Sequence, residues 1–214
     1  MSLATLLVLA DGRLPAGGHA HSGGLEAAVV SGRVRDLAAL DGFLRGRLAT
    51  CGLVTAAFAA MGCARTGAWA ELDAGLDART PSPALRKASR AQGRALLRAG
   101  RAMWTLPATG RDLHHPIALG VVAAAAGLDA VTAATAAAYG TVTGPASAAV
   151  RLLGLDPYGV HALLARLAED CDRIAATAAA RIDDPIDALP AAGAPLLDIG
   201  AEVHASWEVR LFAS

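Results

Sequence analysis

The segment RLPAGGHAHSGGLEAAV (residues 13–29) combines glycines and histidines, which proteins use to bind phosphate, to bind metal ions or to form tight turns. A phosphate-binding loop of the Walker type needs Lys followed by Ser or Thr after its last glycine. Here Gly23 and Gly24 are followed by Leu25 and Glu26. The dinucleotide pattern of glycines after a strand is also missing from the segment. These residue types argue against phosphate binding.

Two histidines in this segment, His19 and His21, could point the same way from an extended loop but not from a helix. Stable metal sites usually have three or four protein ligands, so two imidazoles alone form an incomplete site. A complete site would need tertiary contacts with the other histidines, which are His114, His115, His161 and His204. We therefore predict no firm metal site, with His19 and His21 as candidates for transient metal contact.

Nucleophilic catalysis has no signature in this chain. Ser22 stands beside His21, but neighbours in sequence rarely present both side chains to one atom. The patterns GxSxG, HExxH and SxxK do not occur. We predict that the chain is not an enzyme. The alternative is a helical small-ligand or metal-binding enzyme whose site is built from scattered histidines, and metal-dependent activity of the isolated chain would favour it.

The remaining interpretation of the segment is a turn followed by a helix. Gly17 and Gly18 favour a tight, irregular backbone. His21 or Ser22 would then lie at the helix N-terminus, with Glu26 in the early turns, where the helix dipole favours an acid. Such a turn presents backbone groups and small side chains, which indicates a surface for a protein partner.

Composition and charge limit the remaining classes. The 214 residues are 54% apolar but only 4% aromatic, and the mean hydropathy is +0.42. The formal net charge is +0, which argues against a protein that binds polyanions over its whole surface. Cys51, Cys63 and Cys171 are far apart and form no CxxC pair, which favours a reducing, cytoplasmic location. The first residues have neither a basic start nor a convincing signal-peptide cleavage site.

Helical patterns recur along the chain, whereas alternating strand patterns are nearly absent. Asp36, Ser82 and Asp156 have the residue types and positions of N-caps, the last two directly before a proline. Between Asp129 and Arg151 lie 21 uncharged residues, mostly Ala and Thr, which we interpret as one or two buried helices and not as a membrane span. We predict an all-α, single-domain helical bundle of about seven to ten helices.

Prolines and charges divide the chain unevenly. Residues 1–182 are predicted to form the helical domain, 183–198 a proline-rich linker, and 199–214 a C-terminal segment that either folds back on its own core or completes a partner's surface. The apolar residues of that segment that could bind a partner are Val203, Trp207, Leu211 and Phe212.

Residues 79–111 contain eight Lys or Arg and no acid, which predicts a basic stripe on one helix face. The stripe could be solvated, paired with the acidic C-terminal region, or a dock for an acidic protein. No recognition motif or interleaved aromatic residue supports nucleic-acid binding. Salt-dependent DNA binding by the isolated chain would revive that hypothesis.

Five collinear motifs resemble those of UreF-type urease accessory proteins. Residues 14–34 are similar to the family's segment near the start of the chain, although the family usually has an aromatic residue at the position of His19. The other four motifs are LRKASRAQGRALLR (85–98), HHPIALGVVAAAAGL (114–128), AAVRLLGLDPYG (148–159) and RLFAS (210–214).

The resemblance implies an all-helical, dimeric, non-enzymatic adaptor. Its partners would be a UreD/UreH-type scaffold protein, a nickel-carrying UreG-type GTPase and the urease apoprotein. Nickel would be handled transiently by the complex, with no tightly bound cofactor, and neither nucleic acid nor membrane would be a partner. By resemblance, the dimer interface and GTPase recruitment would involve His19, His21, Ser22, Glu26 and Arg210, and the scaffold would bind the apolar tail residues named above.

Overall fold

The computed structural model describes residues 2–110 and 112–214, and within them it contains ten α-helices and no β-strand. A π-helical turn at Leu48–Gly52 joins two of the helices into one rod, so the described chain has nine separate helical rods. The predicted all-α class is confirmed. The helices are α1 Leu3–Ala10, α2 Leu25–Val30, α3 Leu37–Arg47, α4 Leu53–Ala64, α5 Trp69–Ala78, α6 Pro83–Met103, α7 His115–Ala125, α8 Ala130–Leu153, α9 Pro157–Ala179 and α10 Pro195–Ala205.

The predicted helix starts are confirmed by their capping hydrogen bonds. The carboxylate of Asp36 accepts from the Ala39 amide at 2.8 Å, and the hydroxyl of Ser82 accepts from the Leu85 amide at 3.1 Å. Asp156 caps α9 in the same way. Each cap satisfies amide groups that the first helical turn leaves without a partner. These boundaries could therefore be predicted from a few adjacent residues.

The rod of α3 and α4 lies at the centre of the bundle. Phe58 and Met61 of α4 are 0% exposed, and α7, α8 and α9 all pack against this helix. Among the described residues, the helix Leu37–Ala64 is the one long and apolar enough to cross a membrane, but 61% of its apolar window is buried inside the fold. The uncharged stretch after Asp129 forms α8, one largely buried helix, as predicted.

Small residues allow α4 and α7 to approach closely. A Cβ atom on Gly120 of α7 would lie 2.5 Å from the carbonyl oxygen of Ala59 and 2.6 Å from the amide nitrogen of Cys63. Gly62 of α4 faces the same crossing, where a Cβ would lie 3.3 Å from the carbonyl oxygen of Ile117. Backbone therefore packs against backbone, which explains how a chain with few aromatic residues closes its core.

The predicted linker, residues 183–198, is bound to the helical domain by hydrogen bonds. The guanidinium of Arg65 donates to the carbonyl of Asp184 at 2.9 Å, and that of Arg79 donates to the carbonyls of Ile186 and Pro190 at 2.8 and 3.1 Å. The predicted boundary at residue 198 is wrong, because α10 already begins at Pro195 and packs against α2 and α6. Proline suits the first turn of a helix, so the third proline of this stretch marks a helix start.

The basic face of α6 is partly neutralised by acids of neighbouring segments. Arg90 lies 2.7 Å from Asp73 and 2.8 Å from Asp77 of α5, and Arg94 pairs with Asp112. These acids lie outside the acidic C-terminal region. The predicted alternative that the stripe pairs with that region is therefore not what these ion pairs show. Arg111, the last residue of the basic region, lies outside the described residues.

The close crossing of α4 and α7 gives a first prediction. Gly120→Ala should lower the free energy of unfolding by about 1–3 kcal/mol, because the new methyl group has no room between the two backbones. Gly140→Ala is the matched control, since its Cβ meets nothing within 4 Å and a helical alanine is favoured over glycine by about 0.5–1 kcal/mol. Urea unfolding measures both. Equal midpoints for Gly120→Ala and the wild type would contradict this packing.

Candidate functional site

The glycine-rich segment forms a turn before a helix, as predicted. Gly17, Gly23 and Gly24 have positive φ angles of 76°, 61° and 87°, which glycine adopts without the strain of a Cβ atom. A single 3₁₀ turn, Gly18–Ala20, lies within the segment, and α2 begins directly after the last of these glycines. The glycines shape the backbone of the turn, and this turn positions the residues that follow.

The turn is held against the end of the chain, and we call the paired residues 20–26 and 211–214 the latch. The amide of Ala213 donates to the carbonyl of Ala20 at 2.7 Å. The carbonyl of Ser214 accepts from both the amide and the hydroxyl of Ser22, at 2.6 and 2.8 Å. The C-terminal segment therefore folds back on its own domain, which was one of the two predicted alternatives.

Glu26 is the buried centre of the latch, at 5% exposed. Its carboxylate accepts from the His204 ring at 2.8 Å and from the amides of Leu211 and Phe212 at 2.9 and 3.1 Å. Burial by itself would raise the pKa of Glu26, but these hydrogen bonds outweigh burial and hold the pKa below its ordinary value. A single ionised side chain thus binds α10 and the tail to α2.

Arg47 fastens the other side of the turn. Its guanidinium donates to the carbonyl of Gly23 at 2.7 Å and to that of Thr141 in α8 at 3.1 Å. Among the residues 2–110 and 112–214, no acid forms an ion pair with this guanidinium, and burial lowers the pKa of Arg47. Arg47 therefore joins the turn to α8 through two backbone carbonyls.

His21 of the latch interacts electrostatically with two other histidines, His19 and His115. His21 lies with its Nδ1 atom 2.7 Å from the Ser214 hydroxyl, and its pKa is lowered by burial and by the charge of His19. His115, at the start of α7, has its pKa lowered to about 4 by burial and by the charge of His21. In the part of the chain that the structure describes, no group of three or more His, Cys, Asp or Glu side chains is arranged to hold a metal ion.

The other histidines have separate structural partners. His114 lies 2.9 Å from Asp77, and His161 lies 2.9 Å from the carbonyl of Pro157. His204 is hydrogen-bonded to Glu26 of the latch. The histidines are therefore not pooled into one site of the kind that the enzyme alternative needs.

The predicted interface residues divide into exposed and buried groups. His19 and Arg210 are exposed and lie next to the latch along the chain. Ser22 and Glu26 are buried, at 0% and 5% exposed. This corrects the prediction for these two buried residues: they position the tail and present no side-chain surface to a partner.

The predicted scaffold-binding residues are also divided. Val203 and Leu211 are 50% and 74% exposed, whereas Trp207 is half-buried with its ring 4.9 Å from that of His204. Phe212 is only 6% exposed and packs into the core of its own chain, so the prediction that it offers a partner surface is wrong.

An apolar stripe on α10 extends the exposed set. Leu196 and Ile199 are 63% and 61% exposed and precede Val203 by seven and four positions, so all three share one face of the helix. The proline-rich context hid this helix in the sequence. The sequence also did not reveal Arg47, His115 or His204 as parts of the site, because their partners are remote in the chain.

The role of Glu26 can be tested with Glu26→Gln. An amide has one acceptor oxygen and no charge, whereas the carboxylate has two acceptor oxygens and a charge. The free energy of unfolding of the variant should therefore be about 3 kcal/mol lower than that of the wild type. The Leu211 and Phe212 amides should also exchange hydrogen faster than in the wild type. Glu208→Gln is the control, since Glu208 is an exposed acid of the same tail. Unchanged exchange at the two amides would contradict the latch.

Stability should depend on pH through His115. Its pKa is about 4 in the folded chain and 6.5 in the unfolded reference, so between these values the unfolded chain binds the proton and the folded chain does not. The free energy of unfolding should therefore fall as pH decreases below 6.5, by at most about 1.4 kcal/mol per pH unit from this group.

Urea unfolding at pH 7.5 and pH 5.5 measures this effect. The wild type should lose about 1 kcal/mol more than His115→Gln across that interval. His161→Gln removes an exposed histidine from α9 and should follow the wild type. Equal losses of unfolding free energy in all three proteins would contradict a lowered pKa of His115 in the folded chain.

Comparison with known proteins adds the family. Residues 34–168 match the UreF family model, which is more than half of the chain. Three relatives printed as "Urease accessory protein UreF" align with 100% of this chain over 99% of their own length. The relative from Mycobacterium sp. (strain JLS) is 50% identical to this chain, that from Mycolicibacterium vanbaalenii 48%, and that from Mycobacterium tuberculosis (strain H37Rv) 44%. The resemblance drawn from the motifs is confirmed, and the chain belongs to the UreF family.

Proposed function

We propose that this chain is a non-enzymatic adaptor in urease maturation, active in the cytoplasm. It would bind a UreD/UreH-type scaffold protein, recruit a UreG-type GTPase and act on the urease apoprotein as part of that assembly. The full-length relatives are urease accessory proteins by name, which supports the maturation role. The finer roles are argued from the surfaces of this chain.

The observation that carries the proposal is the latch. It holds the C-terminal segment on the turn and leaves His19, Arg210 and the apolar face of α10 exposed on the same part of the molecule. Residues far apart in the sequence are thus presented together, as an adaptor surface requires. No catalytic motif in the sequence competes with this interpretation.

The scaffold would bind the apolar stripe of α10 together with Leu211 of the tail. These side chains are at least half exposed. Exposed apolar clusters on a folded surface are typical of protein–protein contacts. We expect the chain to be poorly soluble without its partner, because these apolar side chains would then stay in water.

The GTPase would be recruited through His19 and Arg210. A guanidinium and an imidazole at an exposed turn can both donate hydrogen bonds to acidic or carbonyl groups of a partner. Two copies of the chain, as the resemblance implies, would present two such surfaces to the assembly.

Nickel would be the cargo of the assembly and not a resident cofactor of this chain. His19 and His21 are the candidates for transient contact, since they are two positions apart at the same turn. An incomplete ligand set binds a metal ion weakly and releases it readily, which suits transfer better than storage.

The test is co-expression of the chain with the scaffold protein and the GTPase from the same source, followed by size-exclusion chromatography with light scattering. A complex with two copies of this chain would support the adaptor role. A monodisperse monomer that binds neither protein would overturn it, and metal-dependent activity of that monomer would favour the histidine-built enzyme.

The interface assignment makes a narrower prediction. Arg210→Ala and His19→Ala should each weaken GTPase recruitment about tenfold or more while leaving scaffold binding and the circular dichroism spectrum unchanged. Arg166→Ala and His161→Ala are the matched controls, because both residues are exposed on α9. Recruitment by both interface variants at the wild-type level would refute the assignment.

A further inference from the structure

A groove of about 390 Å³ lies between α3 and the start of α10. Its walls are mostly apolar and include Val34, Phe43 and Leu197. Gly42 and Gly46, one turn apart on α3, also line it, and a Cβ atom on either would meet nothing within 4 Å. The open space of the groove therefore results partly from the missing side chains of these glycines.

Two arginines, Arg33 and Arg47, border this apolar space. Arg47 donates to the backbone carbonyls of Gly23 and Thr141, and Arg33 donates to the hydroxyl of Ser31 at 2.8 Å. Among the described residues 2–110 and 112–214, neither guanidinium forms an ion pair. A carboxylate placed beside these apolar walls would form a strong, charge-assisted pair with an arginine.

The groove continues into the apolar stripe of α10. Leu196 lines the groove and is also 63% exposed, and Ile199 follows on the same helix face. A ligand that fills the groove alone would leave this stripe in water. An occupant that covers both must be an extended apolar surface, which a protein segment provides and a small molecule does not.

We propose that this groove receives an apolar segment of the scaffold protein that carries a carboxylate, with the apolar side chains against Phe43 and Leu197 and the carboxylate on Arg33 and Arg47. This inference rests on the proposed function, because it takes the scaffold as the protein that covers α10. It adds the binding pocket and the chemistry of the segment that fills it.

The experiment fills the groove without disturbing the fold. Gly46→Leu places a side chain in the open space, and a helical leucine is favoured over glycine, so thermal stability should not fall. Gly140→Leu is the matched control, because that glycine is also helical, exposed and unobstructed, but lies in α8. Arg33→Glu tests the charge separately, at an exposed residue that does not hold the turn.

Each protein is titrated against the purified scaffold protein, and the dissociation constant is measured at low and high salt. Gly46→Leu and Arg33→Glu should bind about tenfold or more weakly, and Gly140→Leu should bind like the wild type. Added salt should weaken the wild type more than Arg33→Glu, because salt screens the arginine–carboxylate pair.

The failures of the two proposals are distinguishable. If the wild type does not bind the scaffold, both the scaffold role and its pocket are overturned. If the wild type binds but Gly46→Leu and Arg33→Glu bind equally well, only the groove inference is overturned. If Gly46→Leu instead converts a dimer of this chain to a monomer in light scattering, a second copy fills the groove and the inference is also overturned.

Discussion

The carboxylate of Glu26 joins parts of the chain that lie 178 to 186 positions apart. Its hydrogen bonds reach one side chain of α10 and two amides of the tail, so the end of the chain has a defined path over α2. A buried charge is costly unless every lone pair finds a donor, and this requirement restricts the tail to few arrangements. The positions of Arg210 and of the outer face of α10 both depend on it.

The helical bundle packs many small residues beside its buried leucines. Alanine and glycine let α4, α7 and α8 approach closely, and the buried core includes many alanines but few aromatic rings. Such packing favours the fold through many short contacts, each small in energy. The rigid platform that results holds α8 and α3, to which Arg47 fastens the glycine turn.

Arg47 also lies between the glycine turn and the groove beside α10. The guanidinium of Arg47 contacts the turn through Gly23, and Arg47 is also one of the residues that line the groove beside α10. A carboxylate in the groove would therefore act on a side chain that holds the turn carrying His19.

Local patterns in the sequence determined most of the fold. Asp36, Ser82 and Asp156 cap helices with hydrogen bonds that span two or three residues, so each start could be predicted from its neighbours. The glycine turn before α2 and the buried nature of α8 were also predicted, because residue type alone sets backbone freedom and hydropathy.

Only the tertiary structure decided where the tail goes. From the sequence, Phe212 fitted a partner surface as well as its own core, and Glu26 was an ordinary acid in the first turn of a helix. The inward choice follows from contacts between residues about 190 positions apart, which no local pattern encodes. The tertiary structure also decided the electrostatic interaction of His21 with His115 and the position of the groove. Both form only when separate segments of the chain pack together.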